Sequence, residues 1–100
     1  MKTKVANVSD FQNTYSKLVE FDGIPVALFK LQDGFFAIAN ACTHKGGSLS
    51  QGKVENGNVT CPFHGGKFEI KTGKVVGPPP TNNVEKFNVI VEGDEIYIVN

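Results

Sequence analysis

The chain of 100 residues contains no arginine and no tryptophan, and it has only two cysteines, two histidines and one methionine. Its lysines and acidic residues balance at ten each, so the formal net charge is zero. A neutral chain without arginine lacks the basic character typical of general nucleic-acid binding, so no nucleic-acid partner is expected. No hydrophobic run approaches the roughly 20 residues of a membrane span, so no membrane partner is expected either.

The cellular compartment decides how the two cysteines are interpreted. Residues 1–5 lack the apolar segment of a secretory signal, which leads us to expect a cytoplasmic, reducing setting. In that setting, two cysteines are more often metal ligands or reactive thiols than partners in a structural disulfide.

Short hydrophobic runs, separated by eleven glycines and five prolines, dominate the rest of the chain. A chain of this size forms one domain, spanning residues 1–100, and the pattern predicts an all-β fold of short antiparallel strands. Asp-Gly and Asn-Gly pairs supply the positive φ angles of tight hairpin turns. Such turn signals are Asp22-Gly23, Asp33-Gly34, Asn56-Gly57 and Glu92-Gly93-Asp94. They place strands at 17–21, 24–30, 35–39, 53–55, 58–60, 85–91 and 95–99. Residues 9–15 are compatible with one helical turn capped by Ser9 or Asp10.

Every cysteine and histidine lies in two glycine-rich segments that interrupt this pattern. Residues 42–52 read CTHKGGSLSQG and residues 61–67 read CPFHGGK. The first contains Cys42 and His44, the second contains Cys61 and His64, and a glycine pair follows in each. This concentration indicates that the two loops converge on one bound group. A third segment, residues 77–80, reads GPPP and cannot be an interior strand, because proline lacks the ladder donor.

The residue types alone leave several chemistries open. Two cysteines and two histidines suit a tetrahedral zinc ion in a structural zinc-binding module, although zinc fingers usually group like ligands and each loop here supplies one of each. A disulfide between Cys42 and Cys61 is a second alternative. A Cys–His nucleophile pair is a third, but no residue is identified that would orient it.

The order and spacing of these residues resemble a known family. C-T-H-x-G-G, with sixteen residues between His44 and Cys61, followed by C-P-F-H-G-G-x-F, resembles the cluster signature of Rieske-type [2Fe–2S] proteins. The later T-G-x-V-x-G-P-P-P is similar to the proline loop that covers the cluster in that family. The resemblance implies a Rieske-type antiparallel β-sandwich with a cluster-binding subdomain of two loops, at about 42–52 and 61–67, and a proline loop at about 77–80.

The same resemblance implies one [2Fe–2S] cluster as the cofactor. Cys42 and Cys61 would bind one iron as thiolates, and His44 and His64 would bind the other through imidazole nitrogens. The residues that would surround these ligands are Lys45, Gly46, Gly47, Phe63, Gly65, Gly66 and Pro79. Two ferric ions, two sulfides, two thiolates and two neutral imidazoles sum to zero charge, and a neutral centre accepts an electron more readily than an anionic one.

Four positions depart from the high-potential members of the family. Those members carry an additional cysteine in each loop, joined as a disulfide, at the places held here by Gly47 and Phe63. They also carry hydroxyl donors to sulfur at the places held here by Gly66 and Phe68. We therefore predict a midpoint potential at the low end of the span of roughly −150 to +300 mV, as in soluble Rieske ferredoxins.

The function implied is that of a soluble one-electron carrier and not of an enzyme. Both histidines are assigned to the cluster, so none is left for a 2-His-1-carboxylate iron site, and the chain is too short to add a flavin or nicotinamide domain. The resemblance implies an NAD(P)H-dependent flavin reductase as electron donor and a terminal oxygenase as acceptor. The alternatives are a small Rieske subunit of a larger redox enzyme, as in nitrite reductases, and the zinc module.

Charge is distributed unevenly along the chain. Residues 42–76 contain five lysines and two glutamates, a net charge of +3, and the remainder carries −3. A basic rim around the loops could steer acidic electron-transfer partners, although solvated loops with a chance asymmetry would give the same count.

Overall fold

The structure, a computed structural model, describes residues 2–41, 47–63, 65–77 and 82–99. These residues form ten strands and two short 3₁₀ helices, Val8–Phe11 and Leu49–Gln51. The strands are β1 Lys2–Asn7, β2 Ser16–Phe21, β3 Ile24–Leu31, β4 Gly34–Ala39, β5 Lys53–Glu55, β6 Asn58–Thr60, β7 Lys67–Glu69, β8 Val75–Gly77, β9 Lys86–Glu92 and β10 Glu95–Val99.

The strands form two antiparallel sheets, which confirms the predicted all-β class. The large sheet has the order β1-β10-β9-β4-β3-β2, and the small sheet has the order β5-β6-β7-β8. Most neighbours in space are neighbours in sequence, as expected when tight turns join antiparallel strands. The small sheet is inserted between β4 and β9, so the chain leaves the large sheet once and returns to it.

Two hairpin turns have the backbone geometry that their sequences predict. Asp22 and Gly23 have φ angles of 52° and 77°, and Asn56 and Gly57 have φ angles of 54° and 79°. Two consecutive residues with positive φ form the type I′ turn that matches the right-handed twist of the flanking strands. The turn at Gly93, with φ of 63°, joins β9 to β10.

Two local elements lie one residue before their predicted positions. The β3–β4 turn consists of Gln32 and Asp33, because Gly34 (φ 144°) already pairs with Leu31 at the start of β4. The helical turn begins at Val8, one residue before the predicted start, and its N-cap is Asn7. Asp10 is not the N-cap residue; as in a capping box, its carboxylate accepts a hydrogen bond at 3.0 Å from the N–H of Asn7.

Two hydrophobic cores lie on opposite faces of β3. Val26 and Leu28 face the first core, which is built from the strands of the large sheet and the first 3₁₀ helix. Ala27 and Phe29 face the second core, which fills the space between the large and small sheets. All four side chains are fully buried, as the unbroken apolar sequence of this strand requires. The partners of Ala27 and Phe29 in the second core are Ile38, Leu49, Val59, Cys61, Phe68, Ile70 and Val84.

An ion pair on the surface also links the sheets. Lys71, in the turn after β7, contacts the carboxylate of Asp33 in the β3–β4 turn, and its ammonium lies 5.4 Å from the ring centroid of Phe36. The hydrogen bond from Lys71 is the main cause that lowers the pKa of Asp33 below its ordinary value of 3.8. Both side chains are exposed to solvent, so this pair adds little to stability.

Candidate metal centre

Of the four expected ligands, the structure describes Cys61. Cys42, His44 and His64 lie outside the described residues, as do Lys45, Gly46 and Pro79 from the predicted surroundings. The described part of the site consists of Cys61, the glycines around it, and the residues at which each loop leaves and rejoins the sheets.

The second loop is a short turn between β6 and β7, closed at its base. The N–H of Cys61 donates to the carbonyl of Gly66 at 2.7 Å, and the N–H of Gly65 donates to the carbonyl of Cys61 at 3.1 Å. Gly65 has a φ of 75°, which favours glycine because a side chain would be strained there. The N–H of Gly65 therefore makes its hydrogen bond within the turn. The predicted loop at 61–67 ends one residue early, because Lys67 already pairs with Thr60 in β7.

The thiol of Cys61 is almost completely buried, with 1% of the residue exposed. It lies in the second core with Val59 and Phe68, on the side of the small sheet that faces the large sheet. Phe68 is fully buried, and its phenyl ring carries no hydroxyl group. An apolar setting suits a soft thiolate ligand, because it keeps competing water away from the metal.

The base of the first loop is closed by Asn40, whose role the sequence analysis missed. Ala41 pairs with Ser48 in an isolated antiparallel bridge. The side-chain amide of Asn40 donates to the hydroxyl of Ser48 at 3.0 Å, and its carbonyl oxygen accepts the N–H of Ser50 at 2.8 Å. Its backbone carbonyl accepts the N–H of Leu49 at 2.8 Å. Asn40 therefore joins the two ends of the loop that contains Cys42 and His44.

Gly47 brings the two loops into contact. A Cβ atom at this position would lie 2.7 Å from the Sγ atom of Cys61 and 3.3 Å from the ring of Phe63. The first distance is shorter than any normal contact, so only glycine allows the first loop to approach the thiol this closely. The two positions at which the high-potential members place their disulfide are thus adjacent in this chain as well, where they hold Gly47 and Phe63.

Phe63 follows Cys61 by two residues and is 69% exposed. An exposed fraction this large does not fit a side chain that plugs the base of the loop. Its ring lies near Gly47 of the first loop. A large exposed aromatic side chain beside a metal loop is a feature more typical of a contact surface than of a core.

The donor set and the cradle fit a mixed-ligand iron–sulfur centre. The thiol of Cys61 is buried, and Gly47, near the end of the first loop, carries no side chain that would clash with its sulfur. The fold and this site define a small antiparallel β protein in which the described parts of two loops meet at a buried thiol.

Comparison with known proteins identifies the class of that centre. The sequence profile of the Rieske [2Fe-2S] domain matches residues 1–88. The chain is 35% identical over 97 residues to the biphenyl dioxygenase ferredoxin subunit of Pseudomonas sp. (strain KKS102), which covers 96% of this chain and 89% of that protein. This chain therefore belongs to the Rieske [2Fe-2S] family, and it is an electron carrier with a [2Fe–2S] cluster as its cofactor.

Solved structures agree with this assignment. The ferredoxin of carbazole 1,9a-dioxygenase from Nocardioides aromaticivorans IC177 matches with a TM-score of 0.92 and 27% identity, over 98% of this chain and 96% of that one. A chain in the complex of reduced oxygenase and oxidized ferredoxin in carbazole 1,9a-dioxygenase matches with a TM-score of 0.88 and 36% identity, over 97% and 91% of the two chains. The family assignment favours the iron–sulfur cluster over the zinc alternative.

Within the described ranges, no helix has the length and hydropathy needed to cross a membrane.

Proposed function

We propose that this protein carries single electrons from an NAD(P)H-dependent flavin reductase to a terminal oxygenase. The observation that carries the proposal is the contact between the two loops, in which Gly47 lies against the sulfur of Cys61. Relatives that share most of the chain are named as ferredoxin components of dioxygenases, and one matched chain belongs to a complex of an oxygenase with its ferredoxin. These names support the oxygenase as acceptor, and the reductase follows from the resemblance of the sequence motifs.

The residues that would hold the cluster are those of the sequence motif. Cys42 and Cys61 would bind one iron as thiolates, and His44 and His64 would bind the other. When bound, the cluster supplies a site that takes up and releases one electron. The buried position of Cys61 supports its assignment, because an apolar setting keeps competing water away from a metal-bound thiolate.

The protein's own residues hold the described ends of the two loops in place. Asn40 closes the base of the first loop, the Cys61–Gly66 hydrogen bond closes the second, and Gly47 allows the two to meet. A rigid site changes little between redox states, so little reorganisation is required when an electron arrives. We propose a cytoplasmic location, since both cysteines are assigned as ligands and not as a disulfide, which is the common use of cysteine in reducing compartments.

Metal analysis and EPR spectroscopy test the cluster. Anaerobically purified protein is expected to contain two irons and two acid-labile sulfides per chain, and dithionite should produce the EPR spectrum of a mixed-ligand [2Fe–2S] centre. Cys61→Ser should abolish this spectrum, because a hydroxyl does not replace a soft thiolate at iron. Thr60→Ser, at the neighbouring position in β6, is the control and should retain it. A colourless protein loaded with zinc would contradict the proposal.

Reconstitution tests the electron path. The reductase and oxygenase components of the carbazole 1,9a-dioxygenase system serve as donor and acceptor, and the protein is expected to couple NAD(P)H oxidation to their hydroxylation reaction. Stable co-purification with a large redox enzyme, together with failure to serve as a free carrier, would favour the nitrite-reductase-like subunit instead.

A further inference from the structure

The outer face of the small sheet carries its charges in two separate rows. Directly paired residues on neighbouring strands point to the same face of a sheet. Lys53 pairs with Thr60, and Thr60 pairs with Lys67, so these three residues form one row across β5, β6 and β7. We call this the lysine row. It lies at the end of the sheet where β6 runs into Cys61, and its two lysines are roughly 10 Å apart, two strand spacings.

A second row of opposite charge lies at the other end of the same face. Glu55 pairs with Asn58, and Asn58 pairs with Glu69. The residues between the two rows point inward and belong to the second core, so the lysines and glutamates face solvent. The face is therefore positive towards the cluster loops and negative away from them.

The lysines of this row are available for a partner. Among the residues that the structure describes, the lysines in ion pairs are Lys2, Lys4, Lys17 and Lys71. Three of these lie on strands of the large sheet, and their carboxylate partners all belong to the large-sheet part of the chain. Lys53 and Lys67 are exposed and have no carboxylate within reach in the described residues. Their charges are not neutralised inside the molecule.

Exposed apolar side chains border the row. Val76 lies at the irregularity between β7 and β8, next to Lys67, and is 50% exposed. Phe63 lies in the turn that follows Cys61. Apolar groups with charged neighbours have the composition of a protein contact surface, in which the apolar part is covered and the rim selects the partner.

We propose that the lysine row, Lys53 and Lys67, docks an acidic surface of the protein that exchanges electrons with this carrier. The inference deepens the proposed function, since it names the chemistry of the partner's surface. Carboxylates on the partner are attracted to the lysine row and repelled by the glutamate row, so the face orients the partner with its contact at the cluster end. Such steering raises association rates and weakens as salt is added.

Small redox ions of opposite charge test the potential at this surface in the intact holoprotein. Hexacyanoferrate in its ferric form is a trianion, and the cobalt(III) tris-phenanthroline complex is a trication. Stopped-flow oxidation of the dithionite-reduced protein by the trianion is expected to slow as salt is added, whereas oxidation by the trication should not. Lys53→Glu combined with Lys67→Glu should lower that rate on the order of tenfold at low salt and should raise the rate with the trication.

Lys74→Glu is the matched control. Lys74 is exposed, has no ion pair in the described residues, and lies at the glutamate end of the same sheet, where its carbonyl accepts the N–H of Glu69. It changes the net charge by about −2, half the change of the double variant, so overall charge alone would give it about half of that variant's effect on log rate. It should alter the rates by less than that half, because its charge lies at the far end of the sheet from the contact and Coulomb attraction falls with distance. Unchanged visible spectra of all variants would show that each still folds around its cluster.

A polypeptide probe tests the docking directly. A short polyglutamate peptide is expected to bind the protein at low salt by calorimetry and to slow oxidation by the trianion, whereas polylysine of the same length should do neither. The lysine-row variant should lose about tenfold in affinity for polyglutamate, and Lys74→Glu should retain it. Equal effects of both variants, or none from either, would overturn the docking surface. A protein that holds no reducible cluster yet binds polyglutamate at the lysine row would contradict the proposed function alone.

Discussion

The hydrogen bonds of Asn40 predict a specific loss of stability when this side chain is replaced. Asn40 is only 8% exposed, and its carbonyl oxygen accepts the N–H of Ser50 at 2.8 Å. Asn40→Leu leaves that N–H without its partner, at a cost of about 1–3 kcal/mol for a buried donor. Loss of the hydrogen bond from its amide to the hydroxyl of Ser48 adds about 1 kcal/mol. We expect a total of about 3 kcal/mol, a large part of the stability of a small domain.

Urea unfolding of the holoprotein, followed by visible absorbance and circular dichroism, measures this effect. With a slope of roughly 1.5 kcal/mol per molar urea, a loss of about 3 kcal/mol lowers the midpoint by about 2 M. The cluster should also be released faster on warming, because Asn40 joins the two ends of the loop that contains Cys42. The EPR spectrum of the fraction that remains loaded reports whether the ligand arrangement is preserved.

Ser48→Ala is the matched control for Asn40→Leu. It removes the hydroxyl that contacts the side-chain amide of Asn40 and the hydroxyl of Ser50, and it leaves the hydrogen bond from the N–H of Ser50 to Asn40 in place. Its midpoint should fall less than that of Asn40→Leu, since the backbone donor of Ser50 keeps its partner. Equal shifts for the two variants, or no shift for Asn40→Leu, would refute the role of Asn40 in closing the loop.

Three further predictions concern the loop contact, the potential and a surface tyrosine. Gly47→Ala should prevent stable cluster binding, because its Cβ would lie 2.7 Å from the sulfur of Cys61. Gly57→Ala is the control: its Cβ would meet no atom, and it should lower the free energy of unfolding by only about 1 kcal/mol through its positive φ. Comparable iron contents and melting temperatures of the two variants would count against this. The midpoint potential, measured by protein-film voltammetry, should fall below about +150 mV, and a higher value would refute the argument from missing hydroxyl donors. The hydrogen bond from Tyr97 to Glu95 is the main cause that raises the pKa of Tyr97 above 10.0 and lowers the pKa of Glu95 below 4.5. Its contribution to stability is therefore present between these values, is lost as pH falls through the lowered pKa of Glu95, and is lost again as pH rises through the raised pKa of Tyr97. In Tyr97→Phe, NMR titration should show the pKa of Glu95 rising towards 4.5, and an unchanged titration would contradict the assignment.

The hairpins could be predicted from sequence because their signals are local. Asp22-Gly23 and Asn56-Gly57 adopt positive φ at both positions, which depends on the residues themselves and hardly on the rest of the fold. The β3–β4 turn lies one residue earlier than predicted, because Gly34 can also adopt its positive φ as the first residue of β4, paired with Leu31. Strand pairing thus decided between two turns that the local sequence allows.

Strands with few apolar residues could not be predicted in this way. In β1, an irregularity between Lys4 and Ala6 interrupts the pairing with β10, so the alternation that marks a strand is broken. Strands β7 and β8 have three residues each, too short for a periodic signal, and no Asp-Gly or Asn-Gly turn joins them as Asn56-Gly57 joins the equally short β5 and β6. Their formation depends on the second core, into which Phe68 is inserted.

The candidate site also has features that could be predicted from local sequence and features that depend on long-range contacts. Its metal-binding residue types could be recognised from their order in the chain, because the chemistry of the ligands restricts which residues can serve. The closing of the first loop by Asn40 depends on where Ser48 and Ser50 return in space, and no spacing rule indicates that. The separation of Lys53 and Lys67 from the glutamates on the same face likewise depends on strand register, which the sequence does not display.

The position of β3 between the two cores has a consequence for how the molecule unfolds. Because Val26 and Leu28 pack in one core and Ala27 and Phe29 in the other, unfolding of β3 would disrupt both cores at once. We expect a single cooperative transition, and the slowest amide hydrogen exchange of the chain within β3. Damage to either sheet would then be transmitted to the metal loops, so mutations far from them should shorten the lifetime of the holoprotein.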